Sequence, residues 1–244
     1  MLYNIDFTAA ALFVLAALYA HYVRNGTSTA RSTRMFPVFM IYTFSLGVFD
    51  IVDIAILSNP DMSVSFCLTI CSIYMVCEIF TAPLLTFFLP LAVNETSNHE
   101  LALLHILLIP AYACIVALVF FNPQTGWLFS ISDNHYFVMG PASISFFVSN
   151  AFYLVASAFI VISNRKRVDS YRKHSILLMA IIGLTGIVSQ ALLWNLRLTV
   201  FIYALLTLEM YLSYLIPEKR FDALTDVFAR KAFTDATAKM LARR

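Results

Sequence analysis

Asp50 and Asp53 stand three residues apart in the apolar run FSLGVFDIVDIAIL. Glu78, in SIYMVCEIF, and Glu209, in ALLTLEMYLS, are flanked by apolar residues in the same way. An ionised carboxyl at the centre of a membrane helix costs about 2.5 to 3.5 kcal/mol on insertion scales, so each of the four needs a partner, a proton or a purpose. The spacing of three puts Asp50 and Asp53 on one face of a helix. The chemistry open to them is binding: of a cation, of protons, or of the donors of a small ligand. Gln190, Tyr42, Tyr74 and Tyr203 are placed to add hydrogen bonds. Catalysis is not indicated, because the chain holds no phosphate-cradling Gly loop and no cluster with metal-ligand spacing, and it has only six Gly. A structural reading stands beside it, in which the carboxyls are protonated or hydrogen-bonded between helices and fix their packing, and for the Asp pair the functional one is preferred.

The elements that carry these residues follow from composition. Of 244 residues, 61% are hydrophobic and 12% are charged, with 22 Phe among them, whereas soluble domains devote about a quarter of their residues to charge. The chain reads as an integral membrane protein. Segments of roughly 20 apolar residues, enough to cross a hydrocarbon core about 30 Å thick, run from Ile5 to Val23, Met35 to Leu57, Val64 to Leu91, Leu101 to Phe121, Ala142 to Ile162, Ser175 to Trp194 and Leu198 to Ile216. Basic residues orient them, since Lys and Arg collect in cytoplasmic loops. Arg24, Arg31 and Arg34, then Arg165 to Lys173, then the tail from Lys219 onward, place 15 of the 16 Lys and Arg on one side. Arg197 is the exception. The predicted fold is an all-α integral membrane protein, a seven-helix transmembrane bundle with its N terminus outside and its C terminus cytoplasmic.

In that topology Asp50 and Asp53 lie in the outer half of the second span. Glu78 and Glu209 lie roughly 21 Å and 18 Å below the outer ends of the third and seventh spans, at similar depth, so the sequence allows them to meet across the bundle. His21 and His105 fall near helix ends, in interfacial packing positions. The four Cys, at 67, 71, 77 and 114, lie in apolar spans and read as small hydrophobes. The sequons at Asn25 and Asn94 face the cytoplasm and are not glycosylation signals. The first span lacks a basic run before it and a small-residue cleavage site, so it is expected to be retained. All five Lys fall in the cytoplasmic loop or tail, which excludes a retinal Schiff base within the membrane.

Between the fourth and fifth spans, Asn122 to Pro141 reads NPQTGWLFSISDNHYFVMGP, with alternation on both sides of the turn-forming pair Asp133 and Asn134. A short extracytoplasmic β-hairpin is predicted there, capping the mouth of the bundle with Trp127, Phe129, His135 and Tyr136. Its order of residues, N-P-x-T-G-x-x-F, an acidic turn, a Tyr and a G-P pair, resembles the outer loop of seven-helix sensor modules that precede GGDEF and histidine kinase domains. At the other end of the chain, Pro217 falls where the seventh span leaves the membrane and is expected to kink it. Beyond it Asp222, Leu224, Thr225, Arg230 and Phe233 have the spacing D-x-L-T-x-x-x-x-R-x-x-F. This resembles the first helix and turn of a GGDEF domain, with Asp226 and Ala229 where that family usually has Gly and Asn.

The resemblance implies a sensor domain over residues 1–217, followed from 218 to 244 by a cytoplasmic juxtamembrane helix and the beginning of a GGDEF-like output domain. It implies a bacterial inner-membrane receptor that senses a small ligand or membrane cue and regulates a diguanylate cyclase making cyclic di-GMP, with a homodimer in the intact protein. These 244 residues contain no catalytic signature and are not expected to form an enzyme by themselves. The ligand-binding candidates are Asp50, Asp53, Glu78, Trp127, Tyr136 and Gln190. Signal coupling falls to Glu209, Pro217 and the five tail residues. No cofactor, metal or nucleic acid is expected. The rival reading is a small transporter or ion-binding protein using the same carboxylates, against which an odd number of spans without an inverted repeat weighs.

Overall fold

The computed structural model describes residues 5–24, 31–93, 98–132, 136–163, 170–193 and 197–215. Their apolar runs are too long and too evenly apolar for strands, and they form seven helices: α1 (Asp6–Arg24), α2 (Arg31–Leu57), α3 (Val64–Val93), α4 (Asn98–Thr125), α5 (Ser143–Ser163), α6 (Ser170–Leu192) and α7 (Thr199–Met210). A π-helical turn, Tyr211–Leu215, extends α7. Four helical stretches are long and apolar enough to cross a membrane: Asp6–Arg24, Phe36–Leu57, Val64–Thr81 and His174–Leu192. Phe13, Phe120 and Phe159 keep 77%, 78% and 69% of their surface exposed on the outside of the bundle. A soluble protein does not leave so many large apolar side chains facing water; a membrane protein turns them to lipid.

The packing order closes a ring. Helix α1 lies against α2 and α7, α2 against α3, α3 against α5, α5 against α6 and α6 against α7, while α4 flanks the ring on α3 and α5. Two apolar clusters fill it. One gathers Leu15, Phe36, Met40, Met179, Leu206 and Met210; the other gathers Cys67, Ile79, Ile115, Phe129 and Phe146 near the hairpin.

The hairpin forms as predicted, from β1 (Phe129–Ile131) and β2 (Phe137–Met139), antiparallel with Phe129 opposite Met139 and Ile131 opposite Phe137. Its entry differs from expectation. Helix α4 does not end at Phe121 but runs through Asn122 and Pro123 to Thr125. Asn122, in the last turns of α4, turns its side chain to the hairpin. The Asn122 Oδ1 accepts the N–H of Leu128 (2.8 Å) and of Phe129 (3.1 Å), and its Nδ2 donates to the Phe129 carbonyl (2.8 Å). Backbone groups that would be orphaned beside an apolar core are thereby satisfied. At the exit Gly140 donates to the Leu128 carbonyl (2.8 Å). A Cβ there would fall 2.2 Å from the Trp127 carbonyl oxygen and 2.5 Å from that of Gly126, so only Gly fits. Phe129 is fully buried and stacks on Phe137, with centroids 5.0 Å apart.

Residues 133–135 of the hairpin turn, Pro217, and Asp222, Leu224, Thr225, Arg230 and Phe233 of the tail lie outside the described residues.

Candidate functional site

The site is built where the hairpin end of the bundle collects one end of every helix. Thr8 comes early in α1, Asp50 and Asp53 late in α2, Cys71, Tyr74 and Glu78 in the first half of α3, Phe146 and Phe147 early in α5, Gln190 late in α6 and Thr199 at the start of α7. Alternation of direction along the chain is what brings them together.

Asp50 and Asp53 share a face of α2, as their spacing predicts, and both are fully buried. Their partner is Arg197, in the turn between α6 and α7. Its Nη1 lies 3.4 Å from Asp50 Oδ1 and its Nη2 2.9 Å from Asp53 Oδ2. The remaining oxygens are also engaged: the Thr8 hydroxyl donates to Asp50 Oδ2 at 2.7 Å, and the Cys71 thiol to Asp53 Oδ1 at 3.0 Å. All four carboxylate oxygens therefore hold donors supplied by the protein itself. The geometry satisfies the condition for a buried ion cluster, since the charges are paired and the leftover lone pairs are filled.

Arg197 is held as firmly as it holds. Its guanidinium carbon lies 5.7 Å from the ring centroids of Tyr74 and Phe137, within range of a cation–π contact on each. Burial acts to lower its pKa, but Asp53 and Asp50 outweigh that and raise it, so the guanidinium keeps its charge. Its backbone sits at φ 48°, a left-handed conformation that non-glycine residues rarely adopt and that no other non-glycine among the described residues shows. The Gln190 side chain steadies the same turn, its Oε1 accepting the N–H of Leu198 at 2.5 Å. One side chain thus ties the α6–α7 turn to α2, α3 and the hairpin.

Beside this cluster two cavities adjoin. The first is lined by polar groups of Asp53, Glu78, Gln190 and Arg197 and roofed by Leu128 and Phe137 of the hairpin. The second continues between α5, α6 and α7 along Asn150, Leu154, Ile202 and Leu206. Glu78, Phe146, Phe147, Gln190 and Thr199 border both. Glu78 is buried and lines both cavities together with Thr199. The two ion pairs among the described residues both end on Arg197, and Glu78 takes part in neither.

Of the residues singled out by sequence, Asp53, Glu78 and Gln190 meet at the first cavity, and Asp50 stands behind it on Arg197. Trp127 and Tyr136 do not line either cavity; they are 55% and 43% exposed, and Leu128 and Phe137 of the same hairpin face inward instead. Glu209 does not meet Glu78. Glu78 lines the cavities together with Thr199 in the first turn of α7, whereas Glu209 lies ten residues further along and accepts hydroxyl hydrogen bonds from Ser175 of α6 (2.8 Å) and Ser213 (2.6 Å). Tyr42 donates to the Cys77 carbonyl, and His21 pairs with Tyr211, joining α1 to the end of α7.

Sequence reasoning missed Arg197, Thr8, Cys71 and Asn150. Arg197 did leave a signal: it is the single basic residue on the wrong side of the positive-inside pattern, and a charge that breaks that bias needs a partner. Nothing in the spacing of Thr8 or Cys71 marks them. Searches of family models, curated proteins and solved structures find no match to this chain.

Proposed function

We propose that this protein is a membrane signal receptor: a seven-span bundle whose hairpin end takes up a small ligand and whose seventh helix passes the change to a cytoplasmic output. The observation that carries this reading is the Arg197 bridge. It fixes the N-terminal end of α7 to α2 across the wall of a cavity that Asp53, Glu78, Gln190 and Arg197 help to line, so an occupant that alters the bridge moves α7. A ligand shifts such an equilibrium only through unequal affinity for the two arrangements. The tail's resemblance to the start of a GGDEF domain supplies the output, a diguanylate cyclase forming cyclic di-GMP in a homodimer at the bacterial inner membrane. In this reading the bundle itself is not the enzyme.

Arg197→Lys tests the mechanism, because a single ammonium cannot span both aspartates as the guanidinium fork does. In cells expressing the protein from its own gene, cyclic di-GMP at equal protein level should change by about fivefold or more, the lower range of ordinary coupling between sites. An unchanged level would sink the receptor reading. Solute uptake in proteoliposomes that disappears on Asp50→Asn would establish the transporter in its place.

A further inference from the structure

The two adjoining cavities are both lined mainly by apolar side chains, and the placing of their few polar groups identifies a class of ligand. At the hairpin side Asp53, Glu78, Gln190 and Arg197 interrupt an apolar lining; on the far side the walls are Leu85 of α3, Leu154 of α5, and Ile202 and Leu206 of α7. The shared border is made by Glu78 and Gln190 with two Phe rings and Thr199. From Thr199 to Leu206 the apolar arm follows α7 for about 10 Å, the reach of a medium-length alkyl chain.

Two side chains lining the apolar arm can accept from a ligand. Asn150 is 7% exposed, lines the apolar arm, and its Oδ1 has no hydrogen-bond partner among the described residues. A buried acceptor left unsatisfied is costly, and such atoms are rare in native structures unless something completes them. Glu78 is the second: it is buried, lines the same cavity from α3, and no Arg or Lys among the described residues forms an ion pair with it. Both face the space as acceptors. Arg197, the one cation lining either cavity among the described residues, is committed to Asp50 and Asp53, so an anionic head would have to compete with two carboxylates for it.

We infer that the joined cavity binds a linear amphiphile with a protonated amine head, the ammonium placed between Glu78 and the Asn150 carbonyl oxygen and the alkyl chain lying along Leu154, Ile202 and Leu206. The inference rests on the receptor reading for its biological meaning but not for its chemistry. An ammonium supplies three donors and no acceptor, which matches a wall offering a carboxyl and an unfilled carbonyl. An alkyl tail gains with every methylene buried.

Octylamine is the probe, titrated calorimetrically into the 244-residue chain in lipid nanodiscs, with empty nanodiscs as the blank. Saturable binding is expected, at least tenfold tighter than butylamine and tenfold tighter than octanol or octanoate. Glu78→Gln, nearly the same shape, should weaken octylamine at least tenfold and leave octanol unchanged. The unmodified protein's own chain-length series stands whether or not the variant folds. Uptake no greater than in empty nanodiscs, or octanoate bound as tightly as octylamine, overturns the inference. The two readings fail separately. If octylamine does not bind but Arg197→Lys still shifts cyclic di-GMP, the ligand class is wrong and the receptor stands. If octylamine binds saturably while neither it nor Arg197→Lys alters the output, the site stands and the receptor falls.

Discussion

The two ends of the bundle treat buried charge differently. At the hairpin end Asp50 and Asp53 are neutralised in part by Arg197, reached across 144 or more residues of sequence, and helped by Thr8 of α1 and Cys71 of α3. At the opposite end Glu209 is satisfied by two hydroxyls, one from α6 and one four residues along its own chain. Both arrangements meet the demand that buried polar groups be hydrogen-bonded. Only the first joins several elements through one charged side chain beside a cavity. A carboxyl in an apolar helix is therefore not a site by itself; what distinguishes the hairpin end is the coupling of its charges to the α6–α7 turn and to open space.

Arg197→Met should break the comparison most severely. It leaves two buried carboxyls without their cation, a loss of about 3–5 kcal/mol for a broken buried pair. Thermal denaturation in nanodiscs reads it as a large fall in Tm. Replacing the whole cluster, Asp50→Asn and Asp53→Asn together with Arg197→Met, should recover most of that loss, since no unpaired charge remains. If the single and triple variants are equally unstable, the ion cluster is not what holds this end together.

Asn122→Ala comes next. It removes the partner of two backbone N–H groups and one carbonyl of the hairpin, with an expected cost of about 2–3 kcal/mol for donors left unsatisfied. Hydrogen exchange at Leu128 and Phe129 should quicken while the centres of α1 and α6 stay protected. Uniform loss of protection would show instead that the hairpin is not a separate unit from the bundle.

The smallest effect is predicted for Glu209→Gln. Its amide oxygen can still accept from Ser175 and Ser213, so stability should change by about 1 kcal/mol or less. A Tm drop as large as that of Arg197→Met would erase the distinction between the two ends.

Much of the architecture was legible in the chain. Seven apolar runs became seven helices, with boundaries within five residues of those predicted once the π-helical turn is counted with α7, the widest departures being the earlier starts of α2 and α6 and the run of α4 through Asn122, because apolar length is a local property read directly from residue types. The hairpin between α4 and α5 was legible for the same reason, its alternation being confined to twenty residues. Trp127 and Tyr136 show the limit of that reading: alternation says that successive side chains point to opposite faces, but which face meets the bundle is fixed by how the hairpin docks, and Leu128, Phe129 and Phe137 took the inner positions.

What the sequence determined by itself is the inventory: apolar helices, four carboxyls too costly to be left unpartnered, and one arginine out of place. Only the tertiary structure decided the pairing. Asp50 and Asp53 share a face by helical geometry alone, but Arg197, Thr8 and Cys71 reach them through the closure of the ring, which brings α1 and the α6–α7 turn back against α2 and α3. Contacts of that range depend on the three-dimensional path of the chain, and no local spacing encodes them.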